Sequence, residues 1–128
     1  MPNEESPGGK KYDLEERTAR FGEAVIRFAK RIPVTPVTTG LIEQLVCAGT
    51  SVGANYSEAD DAESKKDFHH KVAISRKESR ECKFFLRMVA SAEPSLRDDA
   101  AVLYQEAKEL NLIFGSMRRP KRATPKPP

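Results

Sequence analysis

Three observations predict an all-α fold, an antiparallel up-down-up-down four-helix bundle. Only three of nine prolines, Pro33, Pro36 and Pro94, lie inside the chain. A proline breaks a helix interior by removing an N–H and clashing with the preceding turn, so these three mark joints between pieces of helical length. Within each piece apolar residues recur at alternating spacings of three and four, the seam of a bundle helix. No stretch alternates apolar and polar residues between turn signals, so no strand is expected. Helices of this length with short connections pack against their chain neighbours in opposite directions.

The first expected helix, residues 13–32, carries Leu14, Thr18, Phe21, Val25, Phe28 and Ile32 on its seam. In the second, 36–61, Thr35 is placed as N-cap and Pro36 at the first helical position, ahead of Leu41, Leu45, Ala48, Val52, Asn55 and Ala59. The third, 65–92, opens on Ser64 and Asp67 in capping-box spacing and repeats Phe68, Val72, Ser75, Ser79, Cys82, Leu86 and Val89. Ser95 and Asp98 open the fourth, 96–117, in the same manner, before Leu96, Ala100, Leu103, Ala107, Leu110, Phe114 and Met117. Residues 12–117 thus form the bundle, with disordered tails expected at 1–11 and 118–128.

Size and charge narrow the function. A chain of 128 residues supports one core. Its apolar runs fall far short of the roughly 20 residues that span a bilayer, and the polar, acidic N-terminus does not read as a secretory signal, so a cytoplasmic location is expected. The net charge of +3 is misleading. Five of the 22 basic residues lie in 118–128, which has no acid, leaving 17 basic against 19 acidic residues and a net −2 for the rest. That tail offers counterion release to a nucleic acid or serves equally as an unstructured solubilising end, and it has no aromatic residue for stacking.

Mid-chain motifs are more specific. The run Cys47-Ala-Gly-Thr-Ser-Val-Gly-Ala-Asn-Tyr-Ser-Glu58 is followed by Ala62-Glu-Ser-Lys-Lys-Asp-Phe68 and then Lys77-Glu-Ser-Arg-Glu81. Together with the opening Tyr12-Asp-Leu-Glu-Glu-Arg-Thr18, this order resembles the four-helix-bundle proteins encoded in intervening sequences of bacterial large-subunit rRNA genes. The resemblance covers about residues 12–117. It implies a ring-like homo-oligomer, a homopentamer, of unknown biochemical activity. The accessory protein of diversity-generating retroelements is similar in fold, which adds RNA, DNA or a reverse-transcriptase-like protein as partner classes. One departure stands out: many members carry Ala-Glu-Gly where this chain has Ser57-Glu58-Ala59.

On the second helix Ser51, Asn55 and Glu58 fall on one polar edge, for which Glu78 and Glu81, with Lys77 or Arg80, are the candidate partners. The resemblance matches at Asn55, Glu58 and Glu81. Because an unpaired buried carboxylate is costly, these residues are expected to form a structural polar network that fixes register or subunit packing, ahead of a catalytic carboxylate pair. Gly49 and Gly53, four apart, suit close helix packing within the bundle or between subunits; mid-helix glycines are wrong for a phosphate loop.

The third helix separates into three faces. Beside its seam runs a stripe of Ile74, Phe85 and Met88 with Glu78 and Glu81, a surplus of apolar surface that favours a partner subunit. The remaining stripe is Lys65, His69, Arg76, Arg80, Lys83 and Arg87, within an arc of about 60° and without an acid. Arg76/Arg80 and Lys83/Arg87 repel across one turn, so an acidic partner is expected. Two partners suit: a neighbouring subunit's acidic joint (Glu58, Asp60, Asp61, Glu63, Asp67) or a phosphate backbone.

The other reactive residues read as structural. Cys47 and Cys82 are expected as small buried groups. His69 and His70, being adjacent, point to different faces and do not form a chelating pair, so no metal or other cofactor is expected. No nucleophile, base and orienting group can be assembled, and no small-molecule substrate is evident. The expected protein is a non-enzymatic, oligomeric interaction or scaffold protein whose basic stripe on the third helix is a candidate site for RNA or a nucleic-acid-handling enzyme. The alternative is a purely structural homo-oligomer in which that stripe meets a neighbour's acidic joint.

Overall fold

The computed structural model describes residues 13–118, which form four α-helices and, among the described residues, no strand. These are α1 (Leu14–Ala29), α2 (Thr38–Asp60), α3 (Lys65–Ala92) and α4 (Arg97–Arg118), the last preceded by a 3-10 turn at Pro94–Leu96. The two expected tails lie outside the described residues, except that Arg118 closes α4.

Each helix packs on the next, and α4 returns to α1. The seams supply the core. All six seam residues of the first helix are buried, as are Val72, Ser75, Ser79, Cys82, Leu86 and Val89 of α3, and Leu110 and Phe114 of α4. Tyr56 of α2 reaches across the bundle to Phe114, ring centroids 6.0 Å apart. The buried serines are satisfied by backbone: Ser75 Oγ donates to Val52 O at 2.9 Å and Ser79 Oγ to Arg76 O at 2.8 Å. Truncating a fully buried Leu86 or Phe114 here would cost roughly 3–5 kcal/mol.

Glycine sets the distance between α1 and α2. A Cβ on Gly49 would stand 2.7 Å from Val25 Cγ1, and one on Gly53 3.3 Å from the Thr18 backbone. The close packing expected of these two glycines is therefore intramolecular. Ala59, at the position where the family resemblance leads one to expect glycine, is buried in the core, so a methyl group fits there.

Helix ends show where tertiary context overrides local signals. α1 stops at Ala29, three residues before the expected end, and its last turn tightens: Arg31 N–H bonds Phe28 O at 3.0 Å and Ile32 N–H bonds Ala29 O at 3.1 Å. Pro33 accounts for this, because proline pushes the residue before it out of the α region. Ile32 nevertheless stays buried. α2 begins at Thr38, yet Thr35 does the expected capping, its Oγ1 accepting from Val37 N and Thr38 N, both at 3.1 Å. Thr38 Oγ1 returns the bond by accepting from Thr35 N at 2.8 Å, a capping box with threonine in the glutamate's place. Ser64 caps α3 as expected, accepting from Asp67 N at 3.0 Å.

Two expectations need correction. Ser95 does not cap α4; Pro94 starts a 3-10 turn and the Ser95 hydroxyl donates instead to Glu93 Oε2 at 2.8 Å. Cys47 is exposed, lying on the outer side of α2, whereas Cys82 is buried. Burial, followed by the charges of Glu78 and Glu81, pushes the Cys82 thiol up to about 12.

Candidate nucleic-acid interface

Arg76, Lys83 and Arg87 of the basic stripe lie on the edge of α3 that meets α4, whereas Arg80 borders a hollow shared with Gln44 of α2, Glu81 and Phe84. Lys65, Arg80 and Arg87 are exposed, whereas His69, Arg76 and Lys83 are half-buried. Arg76 is packed over Gly115, where an added Cβ would lie 3.1 Å from its Nε. Its backbone carbonyl accepts from Asn111 Nδ2 at 2.9 Å, which fixes α3 to α4 at this level. One to two turns on, Lys83 Nζ lies 5.8 Å from the centroid of the Tyr104 ring, a weak cation–π contact. The His69 ring packs edge-on against Phe68, with centroids 5.4 Å apart.

Among the described residues, none of these six side chains pairs with a carboxylate. Two polar atoms of the stripe, His69 Nδ1 and Arg76 Nε, are buried without a hydrogen-bond partner. Arg17, Arg20, Arg31 and Lys71, by contrast, are neutralised internally. Arg17 grips Glu106 in a fork, Nε to Oε2 at 2.7 Å and Nη2 to Oε1 at 2.9 Å, and also reaches Glu109 at 3.0 Å. Arg31 pairs with Asp99 at 2.6 Å and Lys71 with Glu58 at 2.6 Å. Hydrogen bonding to Glu106 is the main reason that the Arg17 guanidinium is held above its ordinary pKa.

Among the described residues, the Asn55 and Glu58 side chains of the expected polar network find other partners within the chain. Asn55 Nδ2 donates to Ser51 O on its own helix at 2.9 Å, a local bond that replaces a partner across the interface. Glu58 takes Lys71, not Lys77 or Arg80, and its side chain remains 60% exposed. No hydrogen bond or ion pair among the described residues joins Ser51, Asn55 or Glu58 to Glu78 or Glu81. Glu78, half-buried near Glu81, is held above the ordinary carboxylate range, mainly by desolvation and then by its neighbour's charge.

Comparison with known proteins places this arrangement in a family. The profile described as 23S rRNA-intervening sequence protein matches residues 10–116. The chain belongs to this family. A solved structure from Bacteroides thetaiotaomicron, described as a protein of unknown function from the S23 ribosomal protein family, shares its fold. That structure has a TM-score of 0.72 at 24% identity over 83% of this chain and 98% of the other. No curated protein matches.

In this intervening-sequence family member, α4 contributes to the interface residues that the sequence reading did not single out. Arg97, Ala101, Tyr104, Lys108, Asn111 and Gly115 recur at spacings of four and three, and Tyr104, Asn111 and Gly115 all meet α3. Arg97 and Lys108 therefore lie on the α3-facing edge, and both are exposed. Their spacing was available in the sequence. Which edge of α4 faces the basic stripe was not, because that depends on how two helices dock.

No helix among the described residues is long and apolar enough to cross a membrane, and no group of three or more His, Cys, Asp or Glu is placed to hold a metal ion.

Proposed function

We propose that this protein is a non-enzymatic, oligomeric scaffold of up-down-up-down bundles that binds RNA through the basic stripe of α3. The single observation that carries the RNA reading is that, among the described residues, no carboxylate pairs with Lys65, His69, Arg76, Arg80, Lys83 or Arg87, whereas Arg17, Arg31 and Lys71 are all paired. A phosphate backbone supplies a row of anions to such a stripe and releases counterions on binding.

Residue pairing supports the up-down-up-down topology. Thr18 faces Gly53 while Val25 faces Gly49; Glu58 meets Lys71 while Val52 meets Ser75; Arg76 meets Asn111 while Lys83 meets Tyr104. In each case the earlier residue of one helix meets the later residue of the next. Self-association, to a pentamer on the family resemblance, is supported by α3's outward side, where Phe84 is 53% exposed and Ile74, Phe85 and Met88 are half-buried. A nucleic-acid-handling enzyme is a further partner class on the same resemblance.

The test is RNA binding by fluorescence anisotropy over a salt series. The parent's affinity falls steeply with salt, and Arg80→Glu with Lys83→Glu loses roughly 100-fold or more. Equal binding by parent and double variant would exclude the stripe as the site.

The acidic joint favours a second reading. Asp60, Asp61, Glu63 and Asp67 are exposed and form no ion pair within the described residues, so the chain displays both halves of a subunit contact. Here Arg80→Glu with Arg87→Glu breaks the oligomer, and an unchanged mass by light scattering rules this reading out.

A further inference from the structure

The stripe of α3 is only one wall of a groove. α4 supplies the other wall, and the floor between them is apolar. Leu86, Ala90, Ala100 and Ala101 line the bottom, with Arg87 on one rim and Arg97 on the other. Tyr104 stands in the same groove, half-buried, with the Lys83 ammonium beside its ring. No carboxylate lines the groove. The groove itself lies between residues 86–90 of α3 and 97–105 of α4, and the cationic α3 edge that leads to it from Arg76, opposite Gly115, forms with it a strip of roughly 21 Å at 1.5 Å per residue.

We infer that the α3–α4 groove binds a single strand of nucleic acid, with its cationic rims on the phosphates and its apolar floor and Tyr104 ring beneath the bases. This rests on the RNA reading proposed above and goes beyond it by adding α4 and by choosing the strand form. A duplex hides its base faces and offers only its backbone, so it would use the exposed cations and leave the floor and ring uncovered. A single strand offers phosphates and flat apolar faces together, the combination for which positively charged grooves with aromatic platforms are suited. The alanines matter as well: small side chains leave a shallow slot that admits a planar ring, where an acidic amphipathic helix would need deeper holes for its bulky residues. Arg76 Nε adds a buried donor without an acceptor at one end of the strip.

The experiment is anisotropy with a labelled oligouridine of about 20 nucleotides, an RNA duplex of equal length and a poly-glutamate peptide, at one fixed low salt. The parent binds the single strand at least about tenfold more tightly than the duplex, and Arg97→Glu and Tyr104→Ala each weaken single-strand binding about tenfold. Tyr104→Phe retains it. Thermal melting of each variant confirms folding, and exposed Arg97 gives a readout that does not disturb the core. Equal binding of duplex and single strand, with Arg97→Glu and Tyr104→Ala unaffected but Arg80→Glu/Lys83→Glu impaired, would overturn the groove while leaving the stripe. Failure to bind either RNA would overturn both. Poly-glutamate binding as tight as oligouridine, indifferent to Tyr104→Ala, would overturn the single strand in favour of an acidic protein segment.

Discussion

The two edges of α4 treat charge in opposite ways. Towards α1 the helix presents Asp99, Glu106 and Glu109, and α1 and its following turn answer with Arg31 and Arg17. Towards α3 it presents Arg97, Tyr104 and Lys108 beside Arg76, Lys83 and Arg87 of α3, and among the described residues no carboxylate pairs with any of these cations. The first seam spends its charges on holding the fold. The second is held by apolar packing and by Asn111, so its cations contribute repulsion where they are four residues apart, a few tenths of a kcal/mol per pair. A chain with a net −2 over its first 117 residues can therefore carry a strongly basic strip, because its acids are placed elsewhere.

The comparison is sharpened first by adding a methyl group on each side of the bundle. Gly49→Ala forces a Cβ to within 2.7 Å of Val25 in the packed α1–α2 contact, and lowers stability by about 1–3 kcal/mol in urea unfolding. Gly115→Ala meets only the flexible Arg76 side chain at 3.1 Å. The arginine moves aside, and the helix-propensity gain of up to about 1 kcal/mol keeps stability level or raises it. A loss at Gly115 equal to that at Gly49 would mean that both seams are packed alike.

Next in size is the Arg17 clasp. Arg17→Ala costs about 1 kcal/mol near neutral pH, in keeping with a partly exposed forked pair. Its pH dependence has a fixed sign. Hydrogen bonds from Gln105 and Arg17 hold the Glu109 carboxyl below its ordinary pKa, so its contribution is present above the unfolded-state value and is lost as pH falls through the lower folded-state value. The gap between parent and Arg17→Ala narrows in acid; a gap that widens there contradicts the assignment.

Smallest is a labelling experiment that leaves stability untouched. Exposed Cys47 reacts with a thiol reagent at pH 8, while Cys82, with its thiol pushed up to about 12, is protected until the protein unfolds. Two fast thiols would mean that the centre of α3 is open to solvent.

Much of the fold could be read from spacing alone. α3 spans residues 65–92 as expected, and the seams of all four helices point inward, since a 3.6-residue period directly reports a buried face. Helix ends were harder to read. Pro33 shortened α1 and Pro94 diverted Ser95, in both cases through the backbone next to a proline. Cys47 was misplaced because a small residue one step from a seam carries little directional signal. At the candidate interface, the six cations of α3 were visible because they share one helix. The contribution of Arg97, Tyr104 and Lys108 was hidden, because it arises only when α4 docks with one edge towards them. Asn55 and Glu58 misled for a related reason: each had a nearer partner, the Ser51 carbonyl and Lys71, than the carboxylates of mid-α3.

The central claim, that α3's cations are not used to hold the fold, is tested most directly by thermal unfolding at low ionic strength. Arg17→Gln is compared with the double variant Arg80→Gln, Arg87→Gln, whose two side chains are exposed. The account predicts a lower Tm for Arg17→Gln and an unchanged or slightly higher Tm for the double variant, because like charges are relieved. A fall in the double variant as large as that of Arg17→Gln would contradict it, since the stripe would then already be paired with acids of the protein itself.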